Sequence, residues 1–486
     1  MTTKVQSEKV DPWPTLLNEQ RRKDAERAAE TRAAAEFRTP IERDHDRILF
    51  STPVRRLADK TQVFPLDKND SVRDRLTHSI EVSNLSRSFG TVLAFNKKVS
   101  EGCKDLERNL PALCAAIGLV HDIGNPPFGH QGESAIQAWF AKNKKLMEPL
   151  NKAQQQDFLK FEGNAQGFRL VTRLQLLNDN YGLDLTFATL AAMMKYPVES
   201  SARDEEHVAS KKHGFFQAEK KIAEGVLNAV GLSFGNRHPL AYVMEACDDI
   251  AYVVFDAEDS IKKGLASISD LHAWLKHRCK GDELAEKLVE MSEQKHSEYR
   301  DGGNLSPSEL NDVSMQRFRA AAISDLMAAA VEAFVANQDS FVAGSQVRPL
   351  LELSKGEILR KALKEFSFKH GYTHKSVLKI ELNGFNVIIR LMDIFWSAIV
   401  DRADPHDAKS QRSSPFTRLA YERISENYRR SFENPPPGVE ELPMRYREFL
   451  LLTDMISGMT DSFAVDLCAE LCGLLGDFDL KENLCK

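Results

Sequence analysis

The chain has 486 residues, of which 42% are hydrophobic and 28% charged, with a formal net charge of −6. The length is too great for one typical core, and the composition is ordinary for a cytosolic globular protein. The acidic balance argues against a general nucleic-acid coat but not against an anionic small substrate, because a bound divalent cation and a few local Lys or Arg can dominate a site's field.

At the N-terminus, MTTKVQSEKVDPWP lacks the basic and apolar regions of a secretion signal. No apolar run approaches the roughly 20 residues that span a bilayer, so a cytoplasmic protein without membrane contact is expected. Residues 17–37 are rich in Ala, Glu and Arg with hardly any large apolar residue, which predicts a solvent-exposed helix or arm, and residues 1–40 are read as a charged arm. A mixed segment follows from Ile41 to Phe64. From about Leu110 to Leu275 the apolar spacing predicts helix in PALCAAIGLV, AIQAWFAKN, GFRLVTRLQLL, FATLAAMMKY and PLAYVMEACDDIAYVVFDAEDSI. Short strands are allowed only at LDLTFATL and at VLKIELNGFNVII, near 377–389. Gly, Pro, Ser and charge cluster at 124–130, 198–214, 299–309 and 433–441, and the second of these reads as a mobile loop between helices. The seven cysteines form no CxxC pair, so free thiols are expected, with Cys468 and Cys472 on one buried helix face.

The chemistry gathers at a few polar residues on apolar helices. His121-Asp122 closes LCAAIGLVHDIG, His78 lies upstream in RDRLTHSIEV, and Asp248 and Asp249 interrupt YVMEACDDIAYVVFD. Buried carboxylates without partners are too costly to keep, so a cation or strong donor should stand near them. Two imidazoles with carboxylates suit a first-row divalent ion or Mg²⁺ with open positions for water and phosphate oxygens. A second pair, His130 and Glu133, has the i, i+3 spacing that lets a carboxylate orient an imidazole on a helix. No Walker loop, GxGxxG turn or HExxH is present.

The ordered series H…HD…D, with its flanks, resembles the HD-domain dNTP triphosphohydrolases, most closely the bacterial dGTPase-like group. The matching stretches are RDHDRILF and RRLADKTQVF at 43–64, RDRLTHSIEV, GLVHDIGNPPFGHQGE, FEGNAQGFR, MKYP, RHPLAYVMEACDDIAYVVFDAEDSI and, near the C-terminus, ISGMTDSFAVDL. The resemblance implies an all-α HD-domain fold with a catalytic core over 41–265 and a C-terminal helical region over 266–486 that completes the nucleotide pocket and makes oligomer contacts. It implies one divalent metal ion, Mg²⁺ or Mn²⁺ foremost, held by His78, His121, Asp122 and Asp248. Asp248 is preferred to Asp249 because the family places a Tyr four and an Asp eight residues after the ligand, which Tyr252 and Asp256 satisfy only from 248. His130 and Glu133 become the catalytic pair, with His130 transferring a proton at the attacked phosphate.

By the same resemblance, Lys195, Tyr196 and Lys212 are expected to contact phosphates, and Gln62, Tyr252 and Asp256 the sugar. Asn164 is expected as an active-site amide. Arg75, with Arg55 and Arg56, could balance the triphosphate or pair with acids such as Asp74. The implied activity is attack at the α-phosphate of a dNTP, dGTP first, to release deoxynucleoside and inorganic triphosphate. A homo-oligomer is implied as well, with a dNTP or single-stranded DNA as candidate effector. The alternatives are an HD phosphohydrolase acting on another nucleotide, a nucleic-acid-regulated dNTPase of broad base specificity, and a regulatory subunit with a vestigial site. Val54 and Cys247 depart from the family pattern as packing changes, and the region 266–455 matches weakly.

Overall fold

Some of the principal helices begin where a side chain satisfies free N–H groups. Helix α1 (Pro40–Leu49) opens with a capping box: the Thr39 hydroxyl accepts from the Glu42 N–H at 3.2 Å, and the Thr39 N–H donates to the Glu42 carboxylate at 2.8 Å. Helix α2 (Arg75–Thr91) is capped by Asp74, whose side chain accepts from the Thr77 N–H at 2.7 Å. Helix α3 (Leu106–Val120) is apolar on nearly every side, so it is buried as the central rod. In this computed structural model, residues 11–26, 37–62, 73–100, 102–175, 180–372 and 375–482 are described.

The remaining helices that frame the site are α4 (Gly129–Lys142), α5 (Gly163–Arg169) and α6 (Pro239–Lys262), then α7 (Pro307–Ala336), α8 (Glu357–Ser367), α9 (Lys375–Val400), α10 (Met444–Ser457) and α11 (Asp461–Glu482). Helix α6 packs against α2, α3, α7 and α8, while α9 packs against α4, α10 and α11. One apolar cluster runs from Trp13 to Leu471 and crosses the expected boundary at 265/266. Two buried ion clusters reinforce these joints. Arg169 on α5 donates to both oxygens of Asp454 on α10 and to Glu219, each at 2.8 Å. Arg73 pairs with Glu81, Glu258 and Asp259 at 2.6–3.0 Å.

Helices α2 and α3 lie unusually close because Gly118 faces Ser83. A Cβ at Gly118 would stand 2.8 Å from the Ser83 Cα, inside any normal contact. This approach brings the imidazoles of His78 and His121 to a centroid separation of 5.4 Å.

The chain is all-α among the described residues, with only isolated bridges such as Thr61–Asp74 and Arg21–Thr186. Neither expected strand forms. The 377–389 stretch lies inside α9, where buried Gly384, Ile388, Leu391, Met392, Phe395, Ala398 and Ile399 recur at three- and four-residue spacing. That is the period of a packed helix and not of a strand. In LDLTFATL, Thr186 caps the helix Phe187–Met193 by accepting from the Thr189 N–H.

The exposed-arm expectation fails at the start of the segment. Trp13, Leu16 and Leu17 are buried, and Arg21 pairs with buried Asp44 at 2.7 Å, so this segment is woven into the body. Residues 27–36 of the expected arm lie outside the described residues, as do residues 63 and 64 of KTQVF. The 198–214 loop is packed and not loose, for Val208, Ala209 and His213 are buried. Against the expectation of no such run, Val377–Val400 is long and apolar enough to cross a membrane. Half of it is buried in the protein, as in a core helix.

Candidate active site

Three helices deliver the central cluster. His78 comes from the second turn of α2, His121 and Asp122 from the end of α3, and Asp248 from the middle of α6. Candidate ligand atoms of His78, His121 and Asp248 all lie within 4.8 Å of one another. His78 Nε2 is 3.1 Å from Asp248 Oδ1, and His121 Nε2 is 3.5 Å from both Asp248 Oδ1 and Asp122 Oδ1. The His121 Nδ1–H donates to the Gly118 carbonyl at 2.7 Å, which turns Nε2 toward the carboxylates. That Nε2 is buried and makes no hydrogen bond. A buried ring nitrogen that faces two carboxylates at 3.5 Å without a hydrogen bond to either fits a cation site, since unsatisfied polar atoms are otherwise costly.

The electrostatics agree. Burial alone would raise the Asp248 carboxyl, yet His121, His78 and Lys195 hold it well below the usual carboxylate range. Burial likewise opposes ionisation of Asp122, and Arg75 with the two histidines overcomes it. For His121, burial lowers the imidazole pKa, but Asp122 and Asp248 raise it to about 9. The cluster therefore holds a protonated imidazole when nothing else neutralises its acids, and a divalent cation would displace that proton.

Asp122 stands at the side of this cluster with other partners. Its Oδ2 is bonded to Arg75, and its Oδ1 accepts from Asn125 Nδ2 at 2.7 Å. Arg75 is buried, so its charge serves Asp122 and not the solvent; neither is Asp74, which caps α2, its partner. Arg75 thus holds Asp122 from the head of α2.

His130 stands in the first turn of α4 and Glu133 one turn on, with His130 Nδ1 3.3 Å from Glu133 Oε2. The His130 side chain is 85% exposed, whereas that of Glu133 is buried. Glu133 Oε1 accepts from the Gly163 N–H at 2.8 Å. Burial would raise the Glu133 carboxyl, but the His130 contact, Lys212 and the Gly163 N–H leave it below its ordinary value. An ionised Glu133 favours a proton on His130 Nδ1 and leaves Nε2 facing outward.

Lys195 reaches Asp248 Oδ2 at 3.6 Å and Glu245 Oε1 at 3.5 Å. Tyr196 is buried with its ring beneath Arg237 at 5.5 Å. Lys212 pairs with Glu162 at 2.8 Å, and Asn164 Nδ2 donates to the same carboxylate at 2.8 Å. Gln62 Oε1 is buried without a hydrogen-bond partner. Tyr252 and Asp256 follow Asp248 along α6, and Arg360 of α8 approaches Asp249 at 3.8 Å.

Four contributors escape sequence reasoning. Tyr372 stacks on Tyr252 with ring centroids 6.0 Å apart, and its hydroxyl donates to Asp256. It comes from the weakly matching region, where no local pattern marks it. Glu162 and Glu245 buttress the lysines; Glu245 sits three residues before Asp248, so helical spacing alone would have flagged it. Lys60 is buried, with its Nζ donating to the Asn125 carbonyl at 2.6 Å and the Ser457 carbonyl at 2.8 Å.

Residues 75–166, which carry His78, His121, Asp122, His130 and Glu133, match the HD domain family. A deoxyguanosinetriphosphate triphosphohydrolase-like protein of Listeria innocua is 37% identical, covering 95% of this chain and 99% of that protein. One from Synechocystis is 34% identical over 90% of this chain and 94% of its own length. A probable deoxyguanosinetriphosphate triphosphohydrolase of Pseudomonas aeruginosa is 32% identical, covering 88% and 91%.

Proposed function

The chain belongs to the deoxyguanosinetriphosphate triphosphohydrolase-like family of HD-domain proteins and is a hydrolase, and from that premise we propose that it cleaves dNTPs, dGTP foremost, at the α-phosphate to deoxynucleoside and inorganic triphosphate. The observation that carries the reading is the buried Nε2 of His121, which faces the carboxylates of Asp122 and Asp248 at 3.5 Å and makes no hydrogen bond. His78, His121, Asp122 and Asp248 would hold a divalent cation, Mg²⁺ or Mn²⁺, which neutralises phosphate oxygens and activates water.

The protein's own groups do the rest. Lys195 and Lys212 bring positive charge to the triphosphate, each steadied by a buried glutamate. His130 Nε2 handles the proton as the bond to the 5′ oxygen breaks, while Glu133 fixes the ring through Nδ1. Gln62, Asn164, Tyr196, Tyr252 and Asp256 form the remaining nucleotide contacts in this reading. Burial raises the Asp256 carboxyl well above its ordinary value, against the Tyr372 bond. Assembly as a homo-oligomer in the cytoplasm belongs to the same reading and is supported by the exposed apolar Leu378 and Leu382 on α9.

The test is chromatography of products after incubating Mn²⁺-loaded protein with each dNTP and with GTP. Inorganic triphosphate should appear, fastest from dGTP. Pyrophosphate or single phosphate as the product would overturn the mechanism, and faster turnover of GTP would overturn the substrate. His130→Ala should lose about 10²- to 10⁴-fold in kcat while keeping its metal.

A further inference from the structure

The MTDSF stretch near the C-terminus matches the family pattern but holds no residue of the cluster described above. Its Asp461 is the first residue of α11 and is 2% exposed. That carboxylate reaches two distant segments. Oδ1 accepts the Phe128 N–H at 2.9 Å, and Oδ2 accepts the Thr61 N–H at 3.0 Å and the Thr61 hydroxyl.

The Phe128 end of this link is conformationally demanding. Phe128 has φ +60 and Gly129 φ +55, two consecutive left-handed residues immediately before His130. A bulky residue such as Phe rarely adopts that region unless its surroundings hold it there. No side chain caps the start of α4 at Phe128. Asp461 supplies the acceptor for the Phe128 N–H, and Lys60 ties Asn125, three residues earlier, to the Ser457 carbonyl at the end of α10.

His130 depends on this hold more than its neighbours do. Glu133 is anchored independently by the Gly163 N–H, whereas the His130 side chain is largely exposed and bonded to Glu133. The ring's position is therefore set by its bond to Glu133 together with where the backbone at 128–130 places it. At its other end the link fixes Thr61, whose segment pairs with Asp74 and Arg75 at the head of α2, the helix of His78.

We propose that Asp461 is a positioning residue for catalysis: by holding the Phe128 N–H and Thr61 together, it locks the left-handed turn that aims His130. This rests on the reading of His130 as the proton-transfer group. The C-terminal segment thereby becomes part of the catalytic apparatus although it touches neither substrate nor metal.

The test is a double-mutant cycle with Asp461→Ala and His130→Ala, joined to amide hydrogen exchange over 126–131. Asp461→Ala, which removes both acceptors, should lower kcat by up to about 10²-fold, leave KM within about threefold, keep the metal content of the parent and speed exchange at Phe128. In the His130→Ala background the same substitution should change the residual rate by less than about twofold, because its effect runs through His130. Equal losses in both backgrounds, or unchanged exchange at Phe128, would overturn the proposal. If Asp461→Ala fails to fold, Asp461→Leu, which refills the volume without an acceptor, is put through the same cycle with the same expectations. A parent protein that releases no triphosphate would instead overturn the functional reading, while exchange at Phe128 still decides whether Asp461 holds the turn.

Discussion

Arg169 offers a stringent test of how the C-terminal helices are joined to the catalytic core. Its guanidinium, 4% exposed, donates through Nε and Nη2 to Asp454 and through Nη1 to Glu219, so Arg169→Met leaves two buried carboxylates without their cation. Breaking a buried pair from one side costs about 3–5 kcal/mol. With an unfolding entropy of about 2.1 cal/mol/K per residue, a chain of this size gains about 1 kcal/mol/K, so Tm should fall by about 3–5 °C near pH 7.5. The deficit should also depend on pH. Burial already raises the Glu219 carboxyl above its ordinary value, and losing Arg169 raises it further. A carboxyl whose folded pKa exceeds its unfolded one binds protons preferentially in the folded state, so the variant should regain stability relative to the parent as pH falls toward 5. Scanning fluorimetry of both proteins at pH 7.5 and 5.5 reads both effects. A Tm within about 1 °C of the parent at pH 7.5, or a deficit that ignores pH, would refute the buried-pair reasoning.

The choice between adjacent acids is checked by metal titration: Asp248→Ala should abolish retention of one Mn²⁺ per chain, and Asp249→Ala should spare it. His213 is buried, both ring nitrogens lack hydrogen-bond partners, and burial with nearby Arg203 and Lys212 lowers its pKa to about 3. Because the unfolded chain takes up this proton near pH 6.5 and the folded one does not, the associated stability is present above 6.5 and lost on acidification. By pH 5 the loss is about 2 kcal/mol, which His213→Phe should remove in urea titrations at pH 7.5 and 5. Gly118→Ala should push α2 from α3, cost about 1–3 kcal/mol and weaken Mn²⁺ binding, all measurable by calorimetry; unchanged affinity would disconnect that helix contact from the site.

Much of the central cluster was legible because its signal is local. Polar residues that interrupt apolar helices are conspicuous, and the spacing of Asp248, Tyr252 and Asp256 is a property of one helix whatever packs on it. The i, i+3 spacing of His130 and Glu133 is equally local, and it sets the two side chains 3.3 Å apart on α4. The side chains that orient these groups were not legible. Arg75 was left between balancing the triphosphate and pairing with a local acid such as Asp74, and a sequence cannot say that its guanidinium bonds Asp122 instead. The strand expected near 377–389 followed from β-branched composition, whereas packing of α9 against α4 and α10 decided for helix.

By itself, then, the amino-acid order determined the helical class and the H…HD…D series, because helical periodicity and the cost of burying charge act over a few residues. Only the tertiary structure decided which distant groups close the site. Tyr372 on Asp256, Lys60 between Asn125 and Ser457, and Asp461 between Thr61 and Phe128 join residues 65 to 400 positions apart. No periodicity encodes such pairs; they exist because the apolar helices, once packed, leave each buried donor and acceptor only the partner that folding brings within reach.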